Sequence, residues 1–220
     1  MAGNEYSSNN FACVCRLNTD GSFDSTFNGD GKLHINSNMG TNAVQLLNNG
    51  KIVLGGTYYY SNYSQSGFTL VKVNANGTLD ASFGNSGFKN FNFGGQNDYL
   101  YGILVQADGK ILAAGSSAGK FALARINTNA GYDANFNITG KTLTEFDAGS
   151  TSRANYISFE PDQKILATGL ISRNDSTVGF CTARFHTGNT VGLMERQDLL
   201  QTWVYPNPFT QSFTLDVALT

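Results

Sequence analysis

The sequence repeats itself, and this feature constrains the fold more than any other. Four similar stretches begin at Ala12, Phe68, Phe121 and Phe180, which are 56, 53 and 59 residues apart. The fifth residue of each stretch is basic: Arg16, Lys72, Arg125 and Arg184. Self-similarity at such a period marks an architecture in which every copy is one supersecondary unit. The chain is therefore predicted to fold as a row of similar units.

A loop motif follows the basic residue in the first three copies. It contains an aspartate and, three residues later, a phenylalanine. The aspartates are Asp24, Asp80 and Asp133, and the phenylalanines are Phe27, Phe83 and Phe136. Because a catalytic site needs different groups to converge, residues that recur in every copy favour a structural role. We interpret the aspartates as ion pairs or turn clamps and the phenylalanines as core between units.

Each copy also contains the signal of a β-hairpin. Asn49-Gly50 and Asp108-Gly109 separate apolar runs, and Asp162-Gln163 occupies the same place later in the chain. Residues 121–126 are apolar at nearly every position, as expected of a strand with both faces covered. These patterns predict an all-β array of four-stranded antiparallel blades, part of a β-propeller. A solenoid of small sheets is the alternative.

The repeats divide the chain into regions. A partial unit at 1–11, units from 12, 68 and 121, and a partial unit from 180 make up residues 1–188. We predict a linker at 189–202 and, at 203–220, the first strands of a truncated β-sandwich. So few units are not expected to close a ring of the usual size, which leaves strand edges and blade faces uncovered. We therefore expect these units either to self-associate or to close in a non-native way.

Composition excludes several functions. Charged residues are 14% of the chain and the net charge is −2, which argues against nucleic-acid binding. No apolar run approaches the roughly 18 residues of a membrane span. The 25 glycines and the low charge are typical of a turn-rich, extracellular β protein. The cysteines, with Cys13 and Cys15 two residues apart, are interpreted as buried small apolar residues.

Two motifs resemble known bacterial families. The Arg-Leu-Asn-x-Asp-Gly-x-x-Asp-x-x-Phe stretch and the later Asp-Gly-Lys-Ile-Leu-x-x-Gly stretch resemble the delta-60 repeat of surface and secreted proteins. Tyr205, Pro206, Asn207, Pro208 and Phe209 resemble the start of a type A sorting domain of the type IX secretion system of Bacteroidota. The resemblance implies a secreted or surface protein with a propeller-like passenger. It also implies the type IX machinery as a partner.

Two sets of residues are candidate binding sites. Tyr58, Tyr59, Tyr60, Asn62 and Tyr63 lie in the longest loop, and such residues make adaptable contacts with glycans or proteins. Alternatively, these tyrosines only extend a strand and pack.

Asn18, Asp20 and Asp24 are spaced like oxygen ligands around a glycine turn, which suggests Ca²⁺. The alternative is a turn whose side chains bond the local backbone.

The function predicted from these features is a non-enzymatic secreted or cell-surface scaffold that presents binding loops. The chain has only two histidines, and no motif of nucleophilic catalysis or nucleotide binding accompanies them. The alternatives are a secreted propeller hydrolase or lyase with a site at the channel mouth, and a calcium-stabilised structural array.

Overall fold

The fold is all-β, as predicted. The computed structural model describes residues 2–6, 10–60, 65–95, 97–187 and 193–199. These residues form fifteen strands in four antiparallel sheets and contain no helix. Consequently, no helix in the described part of the chain could span a membrane.

The strands follow one another across each sheet in chain order. The first sheet contains β1 (Ala2–Tyr6), β2 (Asn10–Cys15) and β3 (Lys32–Ile35). The second contains β4 (Met39–Leu46), β5 (Ile52–Tyr59), β6 (Ser66–Val73) and β7 (Phe88–Phe91). The third contains β8 (Asp98–Val105), β9 (Ile111–Ser117), β10 (Lys120–Ile126) and β11 (Lys141–Thr144). The fourth contains β12 (Thr151–Phe159), β13 (Ile165–Ser172), β14 (Val178–Phe185) and β15 (Leu193–Leu199).

The predicted hairpin turns join the first two strands of the last three sheets. Gly50 and Gly109 have φ angles of 77° and 81°, in the left-handed region that glycine reaches without steric cost. Gln163 stands at the same place with a φ of 65°. The third turn therefore has the same shape despite its missing glycine, at some cost in backbone strain.

Three hydrophobic cores lie between successive sheets. The first core contains Val14, Phe27 and Met39, the second Phe68, Phe83 and Leu100, and the third Phe121, Phe136 and Ile157. Neighbouring residues of a central strand face different cores, which is why these strands are apolar at nearly every position. The prediction that the repeated phenylalanines form the core between units is confirmed.

The sequence copies and the sheets are out of phase. The copy that starts at Phe68 supplies the last two strands of the second sheet and the first two strands of the third. The first sheet has three described strands, of which β1 and β2 correspond to the second and third strands of the later sheets. Neighbouring sheets pack on each other, and the described sheets do not close into a ring.

Two sequence interpretations need correction. Leu193–Leu199, assigned to a linker, form β15 and pair with β14 at the edge of the fourth sheet. Their mixed polar pattern hid the strand, because an edge strand tolerates charged residues. The cysteines also differ from expectation, since Cys181 is buried but Cys13 and Cys15 are only half-buried on β2. Residues 203–220 lie outside the described residues.

Candidate functional site

A cavity of about 640 Å³ opens between the third and fourth sheets. It lies where β8 and β12 begin and where β9 and β13 end. Tyr99, Tyr101, Ser116, Arg153 and Leu170 are among the residues that line it. Its volume falls within the range of roughly 300–1,000 Å³ that is typical of small-ligand sites.

β-Bulges shape the strands that carry the cavity's polar residues. The pairing of β8 with β9 skips Tyr101, and the pairing of β12 with β13 skips Asn155. A bulge re-aims the side chains around it and often lies beside a binding site. Tyr101 is the extra residue of its bulge, and Arg153 lies two residues before its own. The local irregularity of the first strands therefore brings both side chains to the cavity.

A repeated glycine makes room for each bulge. A Cβ atom on Gly115 would lie 1.9 Å from the carbonyl oxygen of Tyr99, and one on Gly169 would lie 1.8 Å from that of Arg153. Gly56 faces Gly40 in the same way, with a distance of 2.0 Å. Only glycine permits this approach of backbone to backbone. The recurrence of this glycine in the sequence is thus a signal of the bulge.

The cavity carries a positive charge that its lining does not neutralise. Its lining includes Arg153 and contains no aspartate or glutamate. The guanidinium carbon of Arg153 lies 5.7 Å from the ring centroid of Tyr101, within the range of a cation–π contact. Arg153 is exposed and forms no ion pair with the described residues. The arrangement can therefore bind an anionic or polar group beside an aromatic face.

The tyrosines predicted to bind a ligand lie at the end of β5, and they do not line this cavity. The hydroxyl of Tyr58 donates to that of Tyr60 over 3.0 Å, and their rings meet edge to face. Desolvation, followed by the hydrogen bond with Tyr60, raises the pKa of Tyr58. Tyr59 donates its backbone N–H to the carbonyl of Asn38. Tyr60 is 41% exposed and remains available to a partner.

Asn62 and Tyr63, the other members of that candidate site, lie outside the described residues. Of the three described tyrosines, Tyr58 and Tyr59 are half-buried and Tyr60 is exposed. Ligand binding by this loop stays a prediction.

The residues proposed as calcium ligands bond their own turns. Asp20 accepts hydrogen bonds from the backbone and hydroxyl of Ser22, and these bonds lower the pKa of Asp20. Asp24 accepts equivalent bonds from Thr26, which lower its pKa in the same way. Asn18 donates to the Ser22 hydroxyl over 3.0 Å. These contacts account for the side chains without a cation, and calcium binding stays a prediction.

The recurring aspartates form ion pairs with the recurring basic residues. Asp133 pairs with Arg125 at 2.8 Å, and both side chains are buried. Asp24 pairs with Arg16 at 2.7 Å. Asp80 lies 3.8 Å from Lys72 and only 2.8 Å from Lys51, whose hydrogen bond is the main cause that lowers the pKa of Asp80 to about 2. The interpretation of these residues as loop clamps agrees with this geometry.

Two of the arginines also tie one sheet to the next. Arg16 donates through Nη1 to the carbonyl oxygen of Ala75, and Arg125 donates in the same way to Thr187. Each acceptor lies in the equivalent loop of the following sheet. Arg125 binds Asp133 through Nε and Thr187 through Nη1, so different nitrogens of one guanidinium make the two bonds. The donors of a lysine such as Lys72 all lie on one nitrogen and do not span the two acceptors in this way.

Three carboxylates outside the repeated loop motif form ion pairs with basic side chains. Glu145 pairs with Lys120, Asp147 with Arg173, and Glu160 with Arg184. Within the described ranges, no group of three or more His, Cys, Asp or Glu side chains could hold a metal ion. Of the cavity and the tyrosines at the end of β5, the cavity is therefore the stronger candidate for a binding site.

The comparisons with known proteins agree with the fold. Residues 2–27, 47–83 and 106–136 match the model of a family described as a domain of unknown function (DUF5122) beta-propeller. In the second and third sheets the match covers the second and third strands, and in the first sheet it covers the equivalent strands β1 and β2. In all three it includes the loop that carries the repeated aspartate and phenylalanine. The curated proteins give no match. The chain is therefore a propeller-like repeat protein whose described sheets form an open array.

Proposed function

We propose that this chain is a non-enzymatic, extracellular scaffold that binds a glycan in the cavity between its third and fourth sheets. The observation that carries the proposal is the cavity itself, whose lining combines two tyrosines with an arginine that has no carboxylate partner among the described residues.

The lining suits a saccharide. Sugars offer apolar C–H faces and a rim of hydroxyl groups. Tyr99 and Tyr101 supply flat rings with a polar tip, and Ser116, Ser152 and Thr151 add hydroxyls that donate and accept hydrogen bonds. Tyrosine also provides contact area at a low cost in conformational entropy.

The same lining disfavours hydrolysis as the reaction of this cavity. Glycoside hydrolysis ordinarily requires two carboxyl groups about 5–10 Å apart on either side of the scissile bond. No aspartate or glutamate lines the cavity. A binding role is therefore the simpler use of these residues.

The test is a glycan array probed with the labelled protein and with two tyrosine variants. Tyr101→Ala removes a ring from the cavity, and Tyr60→Ala removes the exposed ring of the other candidate site. We expect the wild type and Tyr60→Ala to retain the same glycans and Tyr101→Ala to lose them, with unchanged circular dichroism in all three. If no glycan is retained by the wild type, or if only Tyr60→Ala loses binding, the proposal is wrong.

We also propose that the full-length protein is exported by type IX secretion. Tyr205, Pro206, Asn207, Pro208 and Phe209 support this, because they resemble the start of a sorting domain. The test is immunodetection of the full-length product in cell fractions of its host and of a mutant that lacks the secretion pore. We expect the protein in the medium or on the surface of the parent and inside the mutant. An unchanged distribution would contradict the proposal.

A further inference from the structure

We infer that the cavity selects saccharides that carry a carboxylate, such as a uronic acid, and that Arg153 recognises this group. The inference rests on the proposed function and adds the class of glycan. It comes from a comparison of Arg153 with the other arginines and with the same position in the other sheets.

Arg153 differs from every other arginine whose side chain is described. Four arginines pair with a carboxylate of this chain: Arg16 with Asp24, Arg125 with Asp133, Arg173 with Asp147, and Arg184 with Glu160. Arg153 pairs with no carboxylate among the described residues, and its guanidinium lies beside the ring of Tyr101. A chain with a net charge of −2 thus leaves this one described guanidinium without a counter-ion, at the wall of a cavity.

The fold does not require an arginine at the position of Arg153. It pairs with Leu170 of β13, just as Tyr99 pairs with Ser116 and Gly40 with Thr57 in the two preceding sheets. The residue two places before the bulged residue is therefore Gly, Tyr or Arg in the three sheets, whereas the glycine that approaches its carbonyl oxygen is present in all three. The backbone requires the glycine, and it does not require the arginine.

The geometry suits a carboxylate more than a neutral hydroxyl. A guanidinium presents two parallel N–H donors that match the two oxygens of a carboxylate, and such charge-assisted bonds are roughly twice as strong as neutral ones. Contact with the Tyr101 ring restricts the guanidinium plane before the ligand arrives, which reduces the entropy lost on binding. The hydroxyls of Tyr99 and Ser116 remain for the hydroxyl groups of the sugar.

The experiment measures by calorimetry the binding of trigalacturonic acid and of its methyl ester, which keeps the sugar and removes the charge. We expect the wild type to bind the acid at least 10-fold more tightly than the ester. Arg153→Gln should weaken binding of the acid by 10-fold or more and leave binding of the ester unchanged. Lys164→Gln removes one positive charge at the opposite end of β13 and should change neither affinity by more than 2-fold.

The outcomes separate this inference from the proposed function. Equal affinities for acid and ester, or an equal loss for Arg153→Gln and Lys164→Gln, would overturn the carboxylate selectivity while the glycan-binding role stands. If neither compound binds, while the glycan array retains neutral sugars in a manner that depends on Tyr101, the inference is also wrong. If the array retains no glycan at all, the proposed function fails with it.

Discussion

Phe68 and Phe180 occupy the same place in the repeat but have different surroundings, and their alanine variants should differ accordingly. Phe68 is fully buried between the second and third sheets, where its ring meets Phe91 and Phe93 at centroid distances of 5.3 and 5.1 Å. Phe180 lies on the fourth sheet and is 62% exposed, because no further sheet follows among the described residues.

The magnitudes follow from these burials. Truncation of a buried phenylalanine to alanine removes its transfer free energy and leaves a cavity, which together cost about 3–5 kcal/mol. Full burial of a phenylalanine is worth roughly 1.5–3 kcal/mol, so the smaller buried part of Phe180 should contribute at most ~1 kcal/mol. Phe68→Ala should therefore lower the free energy of unfolding several times more than Phe180→Ala.

The assay is urea unfolding followed by circular dichroism at a low and at a higher protein concentration, with size-exclusion chromatography of each variant. Equal losses for the two variants would refute the account of an uncovered fourth sheet. A loss for Phe180→Ala that grows with protein concentration would instead reveal a second copy on that face, as the expected self-association requires.

Four further results are expected. Gly115→Ala should cost about 1–3 kcal/mol through its clash with the bulge, whereas Gly102→Ala, whose nearest contact is 3.5 Å, should cost less in the same urea assay; equal costs would contradict the bulge argument. Because the pKa of Asp80 is lowered to about 2 from an unfolded value near 3.9, its carboxylate stabilises the fold above pH 4 and loses this effect as the pH falls through 2. Asp80→Asn should remove that part of the acid dependence in unfolding curves at pH 7, 4 and 2, and an unaltered pH profile would count against the ion pair. Lys72→Arg should add a hydrogen bond to the Thr128 carbonyl and about 0.5–1.5 kcal/mol of stability, and a destabilised variant would show that the loops are not equivalent. EDTA should leave the melting temperature unchanged, because the carboxylates of the candidate calcium loop already accept bonds from their own turns; a lower temperature restored by Ca²⁺ would establish the calcium site.

The strands and the sheet class could be predicted because their signals are local. Asn49-Gly50 and Asp108-Gly109 fix hairpins between adjacent apolar runs, and the repeated phenylalanines mark faces that need a neighbour. The sequence does not show which strands of a copy belong to which sheet, because a repeating pattern has no residue that marks where a sheet begins. The edge strand β15 could not be predicted either, because its pairing with β14 makes it a strand and its own sequence has no strand pattern.

The cavity could not be predicted from the sequence. Its polar residues converge from two sheets, and bulges that depend on pairing across strands shape the segments that carry them. Tyr101 and Arg153 are not adjacent in any motif, and both lie at positions that vary from copy to copy. The available signal was indirect: the glycines Gly56, Gly115 and Gly169 recur where no turn needs them. The loop tyrosines, by contrast, are consecutive, so the sequence alone shows that they lie together.

The stacking of separate sheets is tested most directly by one proton–proton distance. Phe68 of the second sheet lies so close to Gly115 of the third that a Cβ on this glycine would be 2.7 Å from the ring. A nuclear Overhauser spectrum of protein labelled at phenylalanine and glycine should show a cross-peak between the Phe68 ring protons and the Gly115 α protons. The absence of that cross-peak, in a spectrum that does show contacts between Phe68 and Phe91 within the second sheet, would contradict the account.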